Sequence, residues 1–350
     1  MTEALASILD ATPQELGRWL AEQGEPPYRL TQLLEWLYQK RADSFEVMTN
    51  LSLELRRRLA QAFAVSTLRL VERRASHDAQ TEKFLFELHD GERIESVSMC
   101  DYGRYTFCIS TQAGCALGCR FCATGRAGFG RDLSAHEIVE QVLVLARTAG
   151  SLGNVVLMGM GEPLLNLGAV EPALEAITDP RRLGVGNRRV TVSTAGITPG
   201  IRRLARSPVR PNLALSLNSP FEDQRSELMP VNRRYPLREV LKACGEYARR
   251  TRRTAGRRVT LEYVLLGGLN THADCARATA EIALDLRALV NLIAFNPVEG
   301  CPFRPPEPEE VQAFRSALRR AGVTVTQRYR RGRDIAAGCG QLRGSHPQPA

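Results

Sequence analysis

Three thiols, Cys115, Cys119 and Cys122, are spaced C-x3-C-x2-C and followed by the small, turn-prone run Ala123-Thr124-Gly125. Three soft ligands on one short loop call for a soft metal centre and leave one coordination position open. A cube-shaped four-iron four-sulfur cluster ordinarily takes four cysteine thiolates, so a cluster held by three presents one iron to something that is not protein. A structural zinc site closes with four ligands, typically as paired C-x2-C elements. No fourth ligand lies nearby, because the nearest histidine, His136, is 14 residues downstream. The open cluster is the favoured reading, with zinc or plain buried thiols as the alternatives.

The surrounding sequence alternates strand and helix patterns. Apolar strands are predicted over Thr106 to Ser110, Val155 to Met158, Arg189 to Ser193, Asn212 to Leu217, Val259 to Leu265 and Val290 to Phe295. Helical stretches lie between them, near 134–148, 168–178, 199–206, 236–253 and 273–286. Repeated βα units with apolar strands imply a parallel sheet buried on both faces. Six such units without a glycine-rich dinucleotide fingerprint favour an α/β fold of the partial, open (β/α)6 barrel type over a doubly wound sheet. In such barrels chemistry gathers at the carboxyl ends of the strands. There stand the cysteine loop, then Glu162, Ser193, Ser216 and Asn218, and Asn296. Gly161 lets backbone approach a ligand closely, and Glu162 offers an anion to an ammonium group or to ribose hydroxyls. Each of these residues alone reads equally well as a cap or turn former; their shared position is the argument.

Residues 1–75 read as a helical accessory module. Thr12-Pro13-Gln14-Glu15 is a capping box with proline at the first helical position, and Gly24 is placed to end that helix. Further helices are predicted from about Arg29 to Gln39 and from about Ser52 to Phe63. The module is either a packing domain or a substrate-docking one. Residues 76–100 switch to period two around His89-Asp90-Gly91-Glu92, a linking β-hairpin with Glu95 on its second strand. The barrel core is expected over 101–325, closing with a helix near 307–321 and a strand from Thr324 to Tyr329. A tail, 326–350, follows and carries Cys339 between Gly338 and Gly340. A cysteine so flanked is a ligand or a nucleophile rather than a core residue. For Cys100, Cys244, Cys275 and Cys301 burial is the default.

No apolar run approaches the ~18 residues of a membrane span, and Met1-Thr-Glu-Ala-Leu has no signal-peptide pattern. Nine cysteines in a chain of 350 residues, clustered as they are, suit a reducing cytoplasm. The net charge of +9 comes almost wholly from arginine. Arg249, Arg250, Arg252, Arg253, Arg257 and Arg258 form one cluster, and Arg328, Arg330, Arg331 and Arg333 another. Such runs line phosphate-binding surfaces or are simply solvated.

Several longer motifs carry a resemblance. Cys108-Ile-Ser-Thr-Gln-Ala-Gly-Cys115-Ala-Leu-Gly-Cys119-Arg-Phe-Cys122-Ala-Thr-Gly, Met158-Gly-Met-Gly-Glu162-Pro-Leu-Leu-Asn166 and Asp334-Ile-Ala-Ala-Gly-Cys339-Gly-Gln-Leu342 resemble the RlmN/Cfr family of radical S-adenosylmethionine (SAM) enzymes. Pro26-Pro27-Tyr28-Arg29 and Glu35-Trp-Leu-Tyr-Gln39 extend the likeness over nearly the whole chain, and the wording around Gln112-Ala113-Gly114 is closer to the branch that methylates adenine C2. The resemblance implies one [4Fe-4S] cluster on Cys115, Cys119 and Cys122. It implies SAM held by Gly161, Glu162, Ser193, the run Ser216, Leu217 and Asn218, and Asn296. The implied substrates are 23S rRNA and tRNA, with an electron donor such as a flavodoxin and a monomeric enzyme.

The mechanism it implies runs through both outlying cysteines. One SAM methylates Cys339; a second yields a 5′-deoxyadenosyl radical that takes hydrogen from the S-methyl group; the methylene adds to C2. Cys108 then removes the C2 proton, and a transient Cys108–Cys339 disulfide releases the product. Glu95 matches an acidic residue assigned to substrate binding or proton acceptance. Two positions depart from the family pattern: Asn218 stands where histidine is frequent, and Gly338 replaces alanine, which is expected to loosen the tail. The alternatives are C8 methylation of the same rRNA adenine, as in the Cfr branch, or a non-catalytic iron-sulfur RNA-binding factor.

Overall fold

The computed structural model describes residues 5–251, 259–327, 332 and 334–344. The amino-terminal helices begin where their caps require. Thr12 Oγ1 accepts from Glu15 N at 3.2 Å while the Glu15 carboxylate accepts from Thr12 N at 2.7 Å, starting α1 (Pro13–Glu22). Helix α2 (Tyr28–Leu34) does not run to Gln39 as a regular helix, because Glu35–Gln39 widens into a π turn with Lys40 N donating to Glu35 O at 2.9 Å. Ser52 Oγ accepts from Leu55 N at 3.1 Å and caps α3 (Leu53–Ala62). Leu16, Leu20, Leu33, Leu37, Leu55 and Leu59 close this group of helices on a shared core.

Four antiparallel strands follow: β1 (Arg69–Ala75), β2 (Thr81–Glu87), β3 (Arg93–Asp101) and β4 (Arg104–Ile109). A small hairpin of β5 (Gln112–Gly114) and β6 (Phe129–Asp132) encloses the cysteine loop and α4 (Ala123–Ala127). Then come α5 (Ala135–Ala149), β7 (Asn154–Leu157), α6 (Leu167–Thr178), β8 (Val190–Thr194), α7 (Thr198–Leu204), β9 (Asn212–Ser216), α8 (Glu222–Leu228) and α9 (Leu237–Thr251). The described chain ends with β10 (Thr260–Leu265), α10 (Ala273–Leu286), β11 (Leu289–Ala294), α11 (Pro308–Arg320), β12 (Val325–Gln327) and the tail.

The main sheet has the order β1-β2-β3-β4-β7-β8-β9-β10-β11-β12, parallel from β4 onward. The strands β4 and β7 to β11 are the six of the expected open barrel, and β12 adds a seventh at the far edge. The expected hairpin is larger than the sequence suggests, since β1 joins it as an outer edge. Its residues, Arg-Leu-Val-Glu-Arg-Arg-Ala, are exposed almost throughout. Hydrogen bonding to β2, not burial, makes it a strand, and so it lacks the apolar alternation by which strands are recognised.

Cys244 and Cys275 are buried as expected, whereas Cys100 and Cys301 are half-buried. Arg249 and Arg250 are exposed on the last turn of α9; the rest of that arginine cluster and all of the second one lie outside the described residues. Among the described residues no helix is long and apolar enough to cross a membrane.

Glu140 on α5 joins the helical group to the barrel. Its buried carboxylate accepts from Thr67 N at 2.9 Å, Leu68 N at 3.1 Å and Thr67 Oγ1 at 2.7 Å, and also from the Ser66 hydroxyl. Glu140→Ala would orphan the buried Leu68 N–H and leave the half-buried Thr67 donors without their partner, and an unsatisfied buried donor costs about 1–3 kcal/mol. The variant should lose ~2 kcal/mol or more of unfolding free energy in a denaturant melt.

Candidate metal centre and active site

The turn into the cysteine loop depends on glycine. Gly114 has φ +78°, and a Cβ there would stand 2.2 Å from Gly128 O. That closeness lets Cys115 N donate to Gly128 O at 2.7 Å and turns the loop over the sheet. Gly161 has φ +97° and would place a Cβ 2.5 Å from Gln112 Cβ, so only glycine brings the loop after β7 against the cysteine loop. Gln112 completes that junction, its Oε1 accepting from Glu162 N at 2.8 Å and its Nε2 donating to Asp132 at 2.7 Å.

Two cavities open at the carboxyl ends of the parallel strands. The smaller, about 170 Å³, is lined by Cys115, Cys119, Cys122, Gly161, Glu162, Ser193, Ser216 and Asn218, with Cys339 from the tail. The larger, about 420 Å³, is lined by Cys108, Val97, Met99, Asp101, Thr106, Asn296 and Gln327, again with Cys339. Cys122, Met158, Gly159, Ile293, Cys339 and Gly340 border both. Cys339 is exposed at this junction, and both Cys108 and Cys339 are thiols.

Burial pushes the Cys115 thiol up to about 12 and raises Cys119 and Cys122 as well, with the neighbouring thiolates adding to the effect. Metal coordination reverses this, since a ligating thiol is deprotonated outright. Among the described residues no three His, Cys, Asp or Glu side chains converge on a single-ion site. Glu162 is 3 % exposed. Its carboxylate accepts from Ala195 N at 2.8 Å and from Leu164 N at 3.1 Å, yet burial outweighs these bonds and holds it up at about 7. Asn296 Oδ1 is buried with no partner among the described residues. Three soft donors, an anionic carboxylate and an orphaned amide oxygen around adjoining cavities fit a [4Fe-4S] cluster with SAM beside it.

Not every expected residue faces a cavity. Leu217 is fully buried behind the wall and contributes backbone, its N donating to Glu262 O at 2.9 Å. Asn218 adopts φ +55°, a conformation asparagine tolerates, and its Oδ1 accepts from Val264 N at 2.9 Å. Its oxygen therefore ties β9 to β10. Glu95 lies outside both linings: its carboxylate meets Lys83 Nζ at 2.9 Å and accepts from Arg343 N at 2.9 Å. Gly338 is the tail residue set against Asn296. A Cβ there would sit 2.5 Å from Asn296 Nδ2, so the glycine permits close packing of the tail on β11's end.

Arg225 escaped the sequence reading. It is fully buried, and its guanidinium donates to Leu217 O at 3.1 Å, Ala195 O at 2.6 Å, Ser216 O at 3.1 Å and Asn232 Oδ1 at 2.6 Å. It thus fastens the ends of β8 and β9 beneath the smaller cavity, at a burial cost that lowers its own pKa to about 10. In sequence it stands in the charged run Glu222-Asp-Gln-Arg-Ser-Glu, which reads as a solvated helix face.

Comparison with known proteins bears on this site. The family model described as "Radical SAM superfamily" matches residues 109–274, and "Ribosomal RNA large subunit methyltransferase N-terminal domain" matches 6–65. The chain is similar to the "Probable dual-specificity RNA methyltransferase RlmN" of Gemmatimonas aurantiaca, at 47% identity over 97% of this chain and 93% of the relative. It is also similar to the "Dual-specificity RNA methyltransferase RlmN" of Pelobacter propionicus, at 44% identity over 98% and 97%. Among solved structures, a radical SAM methyltransferase from Sphaerobacter thermophilus superposes with a TM-score of 0.93 at 43% identity, covering 97% of this chain and 100% of that one.

Replacing Cys115, Cys119 or Cys122 by alanine should leave anaerobically reconstituted protein with little bound iron. Cys108→Ala and Cys339→Ala should keep the wild-type iron and sulfide content on chemical analysis.

Proposed function

The chain belongs to the RlmN family of radical SAM methyltransferases, and on that premise we propose that it forms 2-methyladenosine in 23S rRNA and tRNA, carrying the new carbon on Cys339. The observation that supports this most is the position of Cys339 on the border of two cavities, one lined by the three cluster cysteines and the other by Cys108. A carbon carrier has to meet the radical source on one side and the base on the other.

The cluster and SAM, when bound, supply the one-electron cleavage that generates a 5′-deoxyadenosyl radical. The remaining work falls to the chain. Cys115, Cys119 and Cys122 hold the cluster. Gly161, Glu162, Ser193, Ser216 and Asn218 hold SAM in the smaller cavity, with Leu217 supporting that wall from behind, while Asn296 and its orphaned oxygen belong to the larger cavity next to it. The Cys339 sulfur attacks the SAM methyl group as a nucleophile, with S-adenosylhomocysteine as the leaving group, then presents that methyl for loss of a hydrogen atom to the 5′-deoxyadenosyl radical and points the resulting carbon toward C2. The larger cavity, of a size usual for small-molecule sites, takes the adenine. Its apolar wall of Val97, Met99, Met158, Ile293 and Leu342 keeps water out. Cys108 takes the C2 proton, and its sulfur then attacks the Cys339 sulfur, so that the bond from Cys339 to the carbon breaks and the freed carbon takes up a proton to become the methyl group. The one electron given up by the adduct returns to the cluster.

Around this centre the helical module at 1–75 docks RNA, the hairpin at 76–100 links it to the core at 101–325, and the tail at 326–350 delivers Cys339. The enzyme works as a cytoplasmic monomer fed by a flavodoxin-type reductant.

Reduced, reconstituted protein with SAM should convert adenosine in separate rRNA and tRNA substrates to 2-methyladenosine, read by nucleoside mass spectrometry against authentic standards. Formation of 8-methyladenosine alone would reject the regiochemistry, and normal activity in Cys339→Ala would reject the carrier. Because Glu162 titrates near 7 and binds an ammonium only when ionised, SAM affinity should tighten roughly tenfold between about pH 6 and pH 8 in calorimetric titrations. The carboxyl is neutral below this window and anionic above it. Glu162→Gln should abolish the dependence.

A further inference from the structure

Lys40, Lys83 and Lys242 are the only lysines in this arginine-rich chain, and Lys83 sits largely buried against Glu95. Their side chains are 13 % and 5 % exposed, with Nζ 2.9 Å from Oε1. Strand register explains the meeting. Lys83 on β2 stands opposite Val97 on β3, and Glu95 lies two residues before Val97. The pair are therefore diagonal neighbours on one face of the sheet. Val97, Met99 and Asp101 continue that face as lining of the larger cavity. The same alternation carries Glu95 to the cavity's side of the sheet but one step past its wall, and there the tail covers it.

Both partners grip the tail. Lys83 Nζ donates to Ala336 O at 3.4 Å, and Glu95 Oε2 accepts from Arg343 N at 2.9 Å and Gly344 N at 3.4 Å. These contacts fall on either side of Cys339. Between them Ala123 N donates to Gly340 O at 2.7 Å and Asn296 Nδ2 to Cys339 O at 3.5 Å. Glu95 is itself tied to the loops at the strand ends, for Ser110 Oγ donates to Glu95 O at 2.6 Å and Ser110 Oγ accepts from Met160 N at 2.8 Å.

We propose that Lys83 and Glu95 form a buried clasp that fixes both flanks of the tail and so positions the Cys339 sulfur at the junction of the two cavities. This rests on the reading of Cys339 as the carbon carrier. Both are positioning residues that act through Cys339 and not on the base. A tail without regular secondary structure loses much chain entropy when held in one place, and charge-assisted bonds to its backbone are the strong kind available to hold it. Lysine suits the site because a compact ammonium reaches a carboxylate and a carbonyl together. Removing either partner strands the other charge in a buried position.

Hydrogen–deuterium exchange of the full-length, cluster-containing protein tests the clasp. Lys83→Met and Glu95→Ala should each speed exchange at the amides of 340–344 by about tenfold, with β10 and β11 unchanged as a check on folding. Arg343→Pro removes the backbone donor to Glu95 along with the Arg343–Glu299 ion pair, whereas Arg343→Ala removes only the ion pair; the proline variant should give the same result where the alanine variant does not, and serves as the test if the core variants unfold. In turnover, the 5′-deoxyadenosine released per methyl group transferred should rise in the three clasp variants, because the carrier is no longer held in place. Unchanged exchange in the tail combined with lost RNA methylation would place Glu95 on the substrate and overturn the clasp. If the wild-type protein made no methyladenosine yet its tail responded as described, the carrier reading would fail while the clasp stood.

Discussion

A buried thiol resists ionisation, and several buried side by side resist it more. The loop holding Cys115, Cys119 and Cys122 sets the protein that problem, because desolvation and mutual repulsion act against all three thiolates. Iron bound to the sulfurs removes the difficulty. Much of the neighbouring architecture serves to keep that loop closed over the sheet. Gly114 and Gly161 allow backbone approaches that any side chain would block, and Gln112 stitches the cysteine loop to the segment bearing Glu162. Beneath them Arg225 spends its donors on the carbonyls of two strand ends. The result is a preorganised rim, which is what radical chemistry asks of its protein.

The second theme is a shared wall. A reaction that moves one carbon between a cofactor and an RNA base needs two compartments and something that belongs to both. In the proposed reaction the tail supplies it: the strand ends form the two cavities, and Cys339 borders each. Such a segment has little core of its own to bury. Its placement falls to backbone contacts with side chains from distant parts of the chain, among them Thr124, Asn296, Lys83 and Glu95. Gly338 lets the tail pass close to Asn296, and Gly340 supplies the left-handed turn, φ +81°, just after Cys339.

Strand and helix positions in the barrel were legible because fully apolar strands alternating with amphipathic helices leave few other folds open, and because capping residues such as Thr12 and Ser52 mark where helices start. The strand β1 was not legible, since its partner and not its own side chains makes it a strand. The π turn at Glu35–Gln39 was hidden for a similar reason, as its residues suit an ordinary helix equally well.

By itself the sequence determined the three-cysteine spacing, the βα order and the presence of two further chemically apt cysteines, because spacing and periodicity are local properties that survive without a fold. Only the tertiary structure decided what those residues face. It sent Leu217 behind the wall, engaged the Asn218 oxygen with a neighbouring strand, set Asn296 in the wall of the larger cavity, buried Arg225 and turned Glu95 toward the tail. Each of these outcomes depends on what arrives from tens or hundreds of residues away to desolvate a group or offer it a partner, and a one-dimensional pattern does not record such meetings.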